Sequence, residues 1–361
     1  MRVSMKWGIV SALIVLVLGA CASSAGQEKD SEKIYAAVSV EKNIDGQGIA
    51  GQYGQIKVTG SVLTDSNGNP VQLRGVSSHG LQWFPQYANK NVIKWLRDDW
   101  KATLWRAAMY TEPGDTNGYI SNPAVKQRVI DSVEAAIELG VYVIIDWHIL
   151  HDKDPRKYQK QAIAFFSEMA QKYGSYPNVI YEICNEPNGN EVTWAESIKP
   201  YAEAVIPVIR KYDPDNIIIV GTPQWSQRVN DAADNPIKGY DNIMYALHFY
   251  SGTHRLWLRD AAKDAIGQGL PIFVTEFGAT DSSGDGAVDT EETLLWFSFM
   301  KEYNISFANW SLANKAESSA ILKSGADANG KGNWKESDLS ASGAFIRGLM
   351  RGDIAIPPYE E

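Results

Sequence analysis

The run Val141-Tyr142-Val143-Ile144-Ile145-Asp146-Trp147-His148 decides the fold class. Its first five residues are apolar without alternation, and polar groups appear only at its end. A strand with one wet face alternates, whereas a parallel strand covered by helices on both faces does not. The residues before it read as a helix: Asn122 as cap, Pro123 in the first turn, Val125, Val129, Val133, Ala136 and Ile137 on one face, and Gly140 as the stop. Working outward, runs of the same kind recur every 30 to 40 residues or so. They lie at Gln72 to Ser78, Thr103 to Tyr110, Val179 to Asn185, Asn216 to Gly221, Ile243 to His248, Pro271 to Phe277 and Ile305 to Ser311. Eight strand and helix units predict an α/β chain folded as a (β/α)₈ TIM barrel. A short hairpin, Ile56 to Val58 and Val62 to Thr64 followed by Asn67-Gly68, is expected to close its amino end. The competing open, doubly wound sheet would carry a phosphate loop after its first strand. Gly75-Val76-Ser77-Ser78-His79-Gly80 lacks that spacing, and no Walker sequence occurs.

Composition narrows the chemistry. The 361 residues are 44% apolar and 21% charged, enough to fill a large core, which excludes a mainly disordered chain. A net charge of -9 with 12 Trp and 17 Tyr is not the footprint of a nucleic-acid or anionic-membrane binder. Two cysteines support neither a disulfide framework nor a zinc cluster, so no metal and no cofactor are expected.

Four segments are expected: residues 1–20 a signal peptide, 21–52 a flexible tether, 53–350 the barrel domain and 351–361 a C-terminal tail. Arg2 and Lys6 precede an apolar stretch, Gly8 to Leu18, too short to span a bilayer. It ends Leu18-Gly19-Ala20-Cys21, resembling a bacterial lipobox, which implies cleavage before Cys21 and a lipid on that residue. The alternative is an ordinary secretory signal with an incidental cysteine. The expectation is a secreted monomer, anchored to the cell envelope only through Cys21.

In a (β/α)₈ barrel the functional groups sit at the carboxyl ends of the strands. Those ends carry His79, Arg106, Tyr110, Asp146, His148, Asn185, Glu186, His248, Tyr250, Glu276 and Trp310, with Trp225 just beyond the fifth. Two glutamates, an arginine, imidazoles, a tyrosine and open aromatics, without metal-binding spacing, suit acid/base work on a neutral polyhydroxyl ligand. Asp281, Asp285 and Asp289 lack the spacing of a known calcium loop, and Asp289 or Thr290 is expected to cap the next helix. Cys184 is expected to be a buried, inert thiol.

An ordered series of motifs makes the reading specific: Leu73 to Trp83, Trp105 to Tyr110, Asp146-Trp147-His148, Ile183-Cys184-Asn185-Glu186-Pro187, His248-Phe249-Tyr250, Thr275-Glu276-Phe277-Gly278 and Asn309-Trp310-Ser311. Together they resemble glycoside hydrolase family 5, the cellulase family, and within it the bacterial endo-β-1,4-glucanases. The pair Leu104-Trp105 departs from the small or β-branched residues more usual before the arginine.

That resemblance implies retaining hydrolysis of internal β-1,4-glucosidic bonds, with Glu186 as general acid/base and Glu276 as nucleophile. It implies that Arg106 and Tyr250 hold Glu276, that Asn185 meets the sugar 2-hydroxyl, and that His148 and His248 complete the subsite. Trp310 would floor the cleaved ring, Trp83 and Trp225 would stack neighbouring sugars, and His79, Tyr110, Lys315 and Glu317 would contact outer hydroxyls. The same chemistry on mannan, xyloglucan or mixed-linkage glucan stays open, as does a glycan-binding lipoprotein without catalysis. The latter would be expected to lack one of the residues just named.

Overall fold

In the computed structural model, residues 53–360 are described; the segments 1–20 and 21–52, and Cys21 with them, lie outside. Eight parallel strands close into a barrel: β3 (Arg74–Ser78), β4 (Leu104–Tyr110), β5 (Tyr142–His148), β6 (Val179–Glu182), β7 (Ile218–Val220), β8 (Ile243–Tyr250), β9 (Ile272–Gly278) and β10 (Phe307–Leu312), with β10 returning to β3. A helix follows each: α1 (Lys90–Trp100), α2 (Lys126–Leu139), α3 (Gln159–Tyr173), α4 (Lys199–Arg210), α5 (Val229–Asp234), α6 (Leu256–Gly267), α7 (Thr290–Glu302) and α8 (Ala341–Arg351). The barrel reading of the sequence holds.

Alternation along the strands decides what faces inward. On β5, Val143, Ile145 and Trp147 pack outward against the helices, while Tyr142 and Ile144 join an inner apolar layer with Leu104, Ile180, Ile219, Met244 and Phe273. Above that layer the inward positions turn polar, which brings Arg106, Asp146 and Glu182 to the barrel's middle, all fully buried.

The amino end is closed by β1 (Lys57–Thr59) and β2 (Val62–Thr64), one residue later at its start than the sequence suggested, with Lys57 opposite Thr64 around a Gly60-Ser61 turn. Ile56 and Leu63 drop into the inner apolar layer, and Asn242 Oδ1 accepts the Val58 amide at 2.9 Å. One detail corrects the sequence reading. Asn122 makes no side-chain cap: a single turn, Pro123–Val125, precedes α2, and only the Asn122 carbonyl takes part, accepting Val125 N–H. Asp289 does cap α7, accepting Glu292 N–H at 3.0 Å, and Asp281 and Asp285 accept hydrogen bonds from Ser283 and Ser318. Tail residue Tyr359 packs against Phe299, ring centroids 5.4 Å apart.

Candidate active site

The polar middle of the barrel is organised by Arg106 on β4. A guanidinium without access to water needs its charge compensated. Its Nε donates to Glu182 Oε2 at 2.7 Å, Nη1 to Glu276 Oε2 at 3.0 Å and Nη2 to Asn185 Oδ1 at 2.5 Å, with Asp146 Oδ2 3.0 Å from Nη2. Glu276 takes a second hydrogen bond from the Tyr250 hydroxyl at 2.8 Å. Both residues expected to hold Glu276 therefore reach it. Burial and then the Glu276 charge push the Tyr250 phenol well up, so it remains a donor.

Glu276 faces the mouth because β9 carries an extra residue. Ala246 pairs with Phe273 but His248 pairs with Glu276, two steps on β8 against three on β9. One inserted residue reverses which face follows. Thr275 and Glu276 consequently both serve the site: Thr275 Oγ1 donates to Glu182 Oε1 at 2.6 Å and meets His248 Nε2 at 2.8 Å. His248 Nδ1 lies 2.9 Å from Glu186 Oε1. One oxygen from each of Glu186 and Glu276 and a ring nitrogen of His248 lie within 4.8 Å of one another.

These contacts separate the histidines. Burial opposes charge on His248, but Glu182 and Glu186, together with Glu276, outweigh it and raise its pKa to about 9. His148 goes the other way, lowered to about 3 by burial and the Arg106 charge. A neutral His148 donates from Nδ1 to Asp146 Oδ2 at 2.6 Å and accepts at Nε2 from Asn185 Nδ2 at 3.3 Å. Burial, then Lys315 and His148, lower His79 to about 3. Burial opposes ionisation of Glu182, yet Arg106 holds it down at about 2. Asp146 is pushed up by burial against the pull of Arg106, and its Oδ1 has no hydrogen-bond partner among the described residues.

Over this network opens a cleft of about 640 Å³, lined by His79, Trp83, Tyr110, His148, Glu186, Trp225, His248, Tyr250, Glu276, Trp310, Lys315 and Glu317. The structure thus gathers twelve of the fourteen residues to which the family resemblance gives a role. Arg106 and Asn185 lie beneath it, fully buried, with Asn185 Nδ2 also donating to the Ile149 carbonyl at 3.0 Å. Lys315 and Glu317 pair with each other at the rim, braced where Ser319 N–H donates to the Gly284 carbonyl at 2.9 Å. Cys184 is buried, and burial raises its thiol pKa.

Trp225 reaches the cleft on a costly backbone. Gln224, Trp225 and Ser226 all take left-handed φ, 54°, 58° and 56°, at about 1–2 kcal/mol each for residues other than glycine. Trp225 N–H donates to the Pro187 carbonyl at 3.1 Å and Ser226 Oγ to the Asn185 carbonyl at 2.7 Å, which ties this turn to the Glu186 loop.

Sequence reasoning missed Glu182, Thr275, Glu112, His151 and His254; the last three also line the cleft. Glu182 did leave a signal, a carboxylate inside the apolar run Val179-Ile180-Tyr181-Glu182-Ile183, which folding can bury only against a partner.

Fold and site together define a (β/α)₈ barrel with paired carboxylates at its carboxyl face, over a buried arginine. The chain belongs to glycosyl hydrolase family 5: the family model "Cellulase (glycosyl hydrolase family 5)" matches residues 64–316. It is 56% identical over 293 residues to endoglucanase A of Evansella cellulosilytica, covering 81% of this chain and 59% of that one. It is 54% identical over 300 residues to an endoglucanase of Clostridium saccharobutylicum, covering 83% and 65%. The chain thus spans about six-tenths of the length of these relatives. Among solved structures it is similar to the catalytic domain of a Thermobifida fusca endoglucanase in complex with cellotetraose: TM-score 0.79, 41% identity, 84% of this chain and 99% of that one covered.

Proposed function

We propose that the protein hydrolyses internal β-1,4-glucosidic bonds of cellulose and related β-glucans by a retaining double displacement. One observation carries this reading: oxygens of Glu186 and Glu276 lie within 4.8 Å of one another. Retaining pairs stand about 5–5.5 Å apart, whereas inverting pairs need about 6.5–9.5 Å to admit a water. Relatives named endoglucanases and the cellotetraose complex of a related structure support the substrate class.

In the first step Glu276 attacks C1 while Glu186 gives its proton to the departing glucosidic oxygen. The two carboxyls are held differently: Glu186 by one oxygen, Glu276 by both. His248 engages Glu186 at Oε1, freeing Oε2 for the proton, and Arg106 and Tyr250 fix Glu276 from both sides. In the second step Glu186 takes a proton from water, whose oxygen displaces Glu276 from C1 and restores both groups. Endo action fits a cleft with Trp83 from the β3 loop and Trp225 from the β7 loop on opposite sides of the barrel, so that a chain lies across the mouth. A glycan-binding protein without catalysis is disfavoured because the whole machinery is present.

The roles are tested by substitution. Glu276→Gln is expected to lower turnover by orders of magnitude with substrate affinity largely kept, since the loss is of transition-state stabilisation. Glu186→Ala should still be glycosylated by substrates with good leaving groups, and azide should restore its turnover. Azide rescue of Glu276→Ala to a β-glycosyl azide would instead exchange the two roles. We further propose that residues 1–20 are removed on export and that a lipid on Cys21 holds a monomer at the cell envelope.

A further inference from the structure

Three tryptophans are exposed among the described residues: Trp83 at 43%, Trp225 at 42% and Trp257 at 54%. The first two line the cleft. Trp257 does not, although an indole is a large apolar surface to leave in water.

Its place in the fold gives it a use. Trp257 is the second residue of α6, the helix that leaves the carboxyl face after β8. Helical side chains lean toward their helix's amino end, so this indole leans toward the face that carries the cleft. There it meets His254 edge-on, ring centroids 5.9 Å apart. His254 lines the cleft and is held firmly: its Nδ1 accepts Tyr250 N–H at 2.8 Å and its carbonyl accepts Trp296 Nε1–H at 2.7 Å. With Nδ1 an acceptor, the ring proton sits on Nε2. Burial lowers the imidazole pKa to about 4, so it stays a neutral donor.

Resting on the β-glucan reading above, we propose that Trp257 and His254 form a further sugar-binding subsite at the outer end of the cleft. Trp257 stacks on the face of a glucose ring, and His254 Nε2–H donates to one of its hydroxyls. The β8 loop that carries them adjoins the β7 loop of Trp225 in the closed strand order and lies three strands from β3, whose loop carries Trp83. The subsite therefore prolongs the Trp225 side, and only chains long enough to pass Trp225 reach it.

The test is a chain-length series. kcat/KM is measured on cello-oligosaccharides of increasing length and on a soluble β-1,4-glucan, for the wild type, Trp257→Ala and Trp257→Phe. Trp257→Ala is expected to lose about 2- to 12-fold on the long substrates and nothing on the shortest oligosaccharide the wild type cleaves, and Trp257→Phe is expected to recover most of the loss. The residue is exposed, so thermal unfolding should not change. An equal loss at every length, or no loss at any, overturns the subsite while leaving the β-glucan reading intact. A wild type that cleaves no β-1,4-glucan overturns both.

Discussion

Replacing Glu182 by glutamine removes one buried charge while keeping the shape of the side chain. The Glu182 carboxylate lies 3.8 Å from His248 Nε2, with Thr275 Oγ1 bonded to both groups. At an effective dielectric constant near 20, two unit charges at that separation attract by about 4 kcal/mol, or about 3 pKa units. His248, raised to about 9 in the folded protein, should fall to about 6 in Glu182→Gln. Glu186 and Glu276 still face it and keep it from falling further. Thr275 can then turn its proton toward a neutral Nε2 while the new amide donates to Thr275. The raised pKa is also a stability statement. Its contribution is present in full below the unfolded value of 6.5 and is lost as pH rises through 9, about 3 kcal/mol over that window. The variant should lack this loss, although it starts less stable because Arg106 loses the carboxylate that accepts from both its Nε and its Nη2. Two assays read the effect: NMR titration of the five histidines, and denaturant unfolding at pH 6 and pH 9.5. A His248 pKa that moves by less than one unit would refute the assigned coupling, as would equal pH dependence of stability in the two proteins.

Two other outcomes follow from the same physical chemistry. His79, His148 and His254 are depressed to about 3, 3 and 4, so the unfolded chain binds protons there that the folded one refuses, and stability falls as pH drops below 6.5. Asp146, raised by burial, works the other way. Unfolding near pH 5.5 should then take up net protons, and unfolding free energies flat between pH 6.5 and 5 would contradict this. For Cys21, the wild type should partition with membranes on detergent extraction and Cys21→Ser should not; equal solubility of the two would end the lipid-anchor proposal.

The barrel was legible because strands buried on both faces leave unbroken apolar runs, and Val141 to Ile145 is one. The mouth was legible because polar residues end those runs. What sequence did not disclose depends on geometry that period-two reasoning presumes regular. The extra residue in β9 turns both Thr275 and Glu276 toward the site, and no composition signal marks it. Trp225 was expected to be near the site, but its presentation on three successive left-handed residues is set by ties to Pro187 and Asn185, distant in sequence. Asn122 has the right chemistry for a cap, yet Pro123 opens a turn of its own ahead of α2, and the side chain is left without that role. Glu182 was overlooked because the apolar run reads on to Asn185, whereas β6 ends at Glu182, which binds the arginine that holds Glu276.

The retaining assignment rests on the short span between Glu186 and Glu276, and the configuration of the first product reports on it directly. Proton NMR of a fresh digest of β-1,4-glucan, recorded before mutarotation, resolves the newly released reducing ends. Two displacements at C1, first by Glu276 and then by water, predict that the β-anomer appears first and the α-anomer grows in only as the sugar equilibrates. An initial α-anomer would mean a single inversion by water, and the mechanism built on these two carboxylates would be wrong.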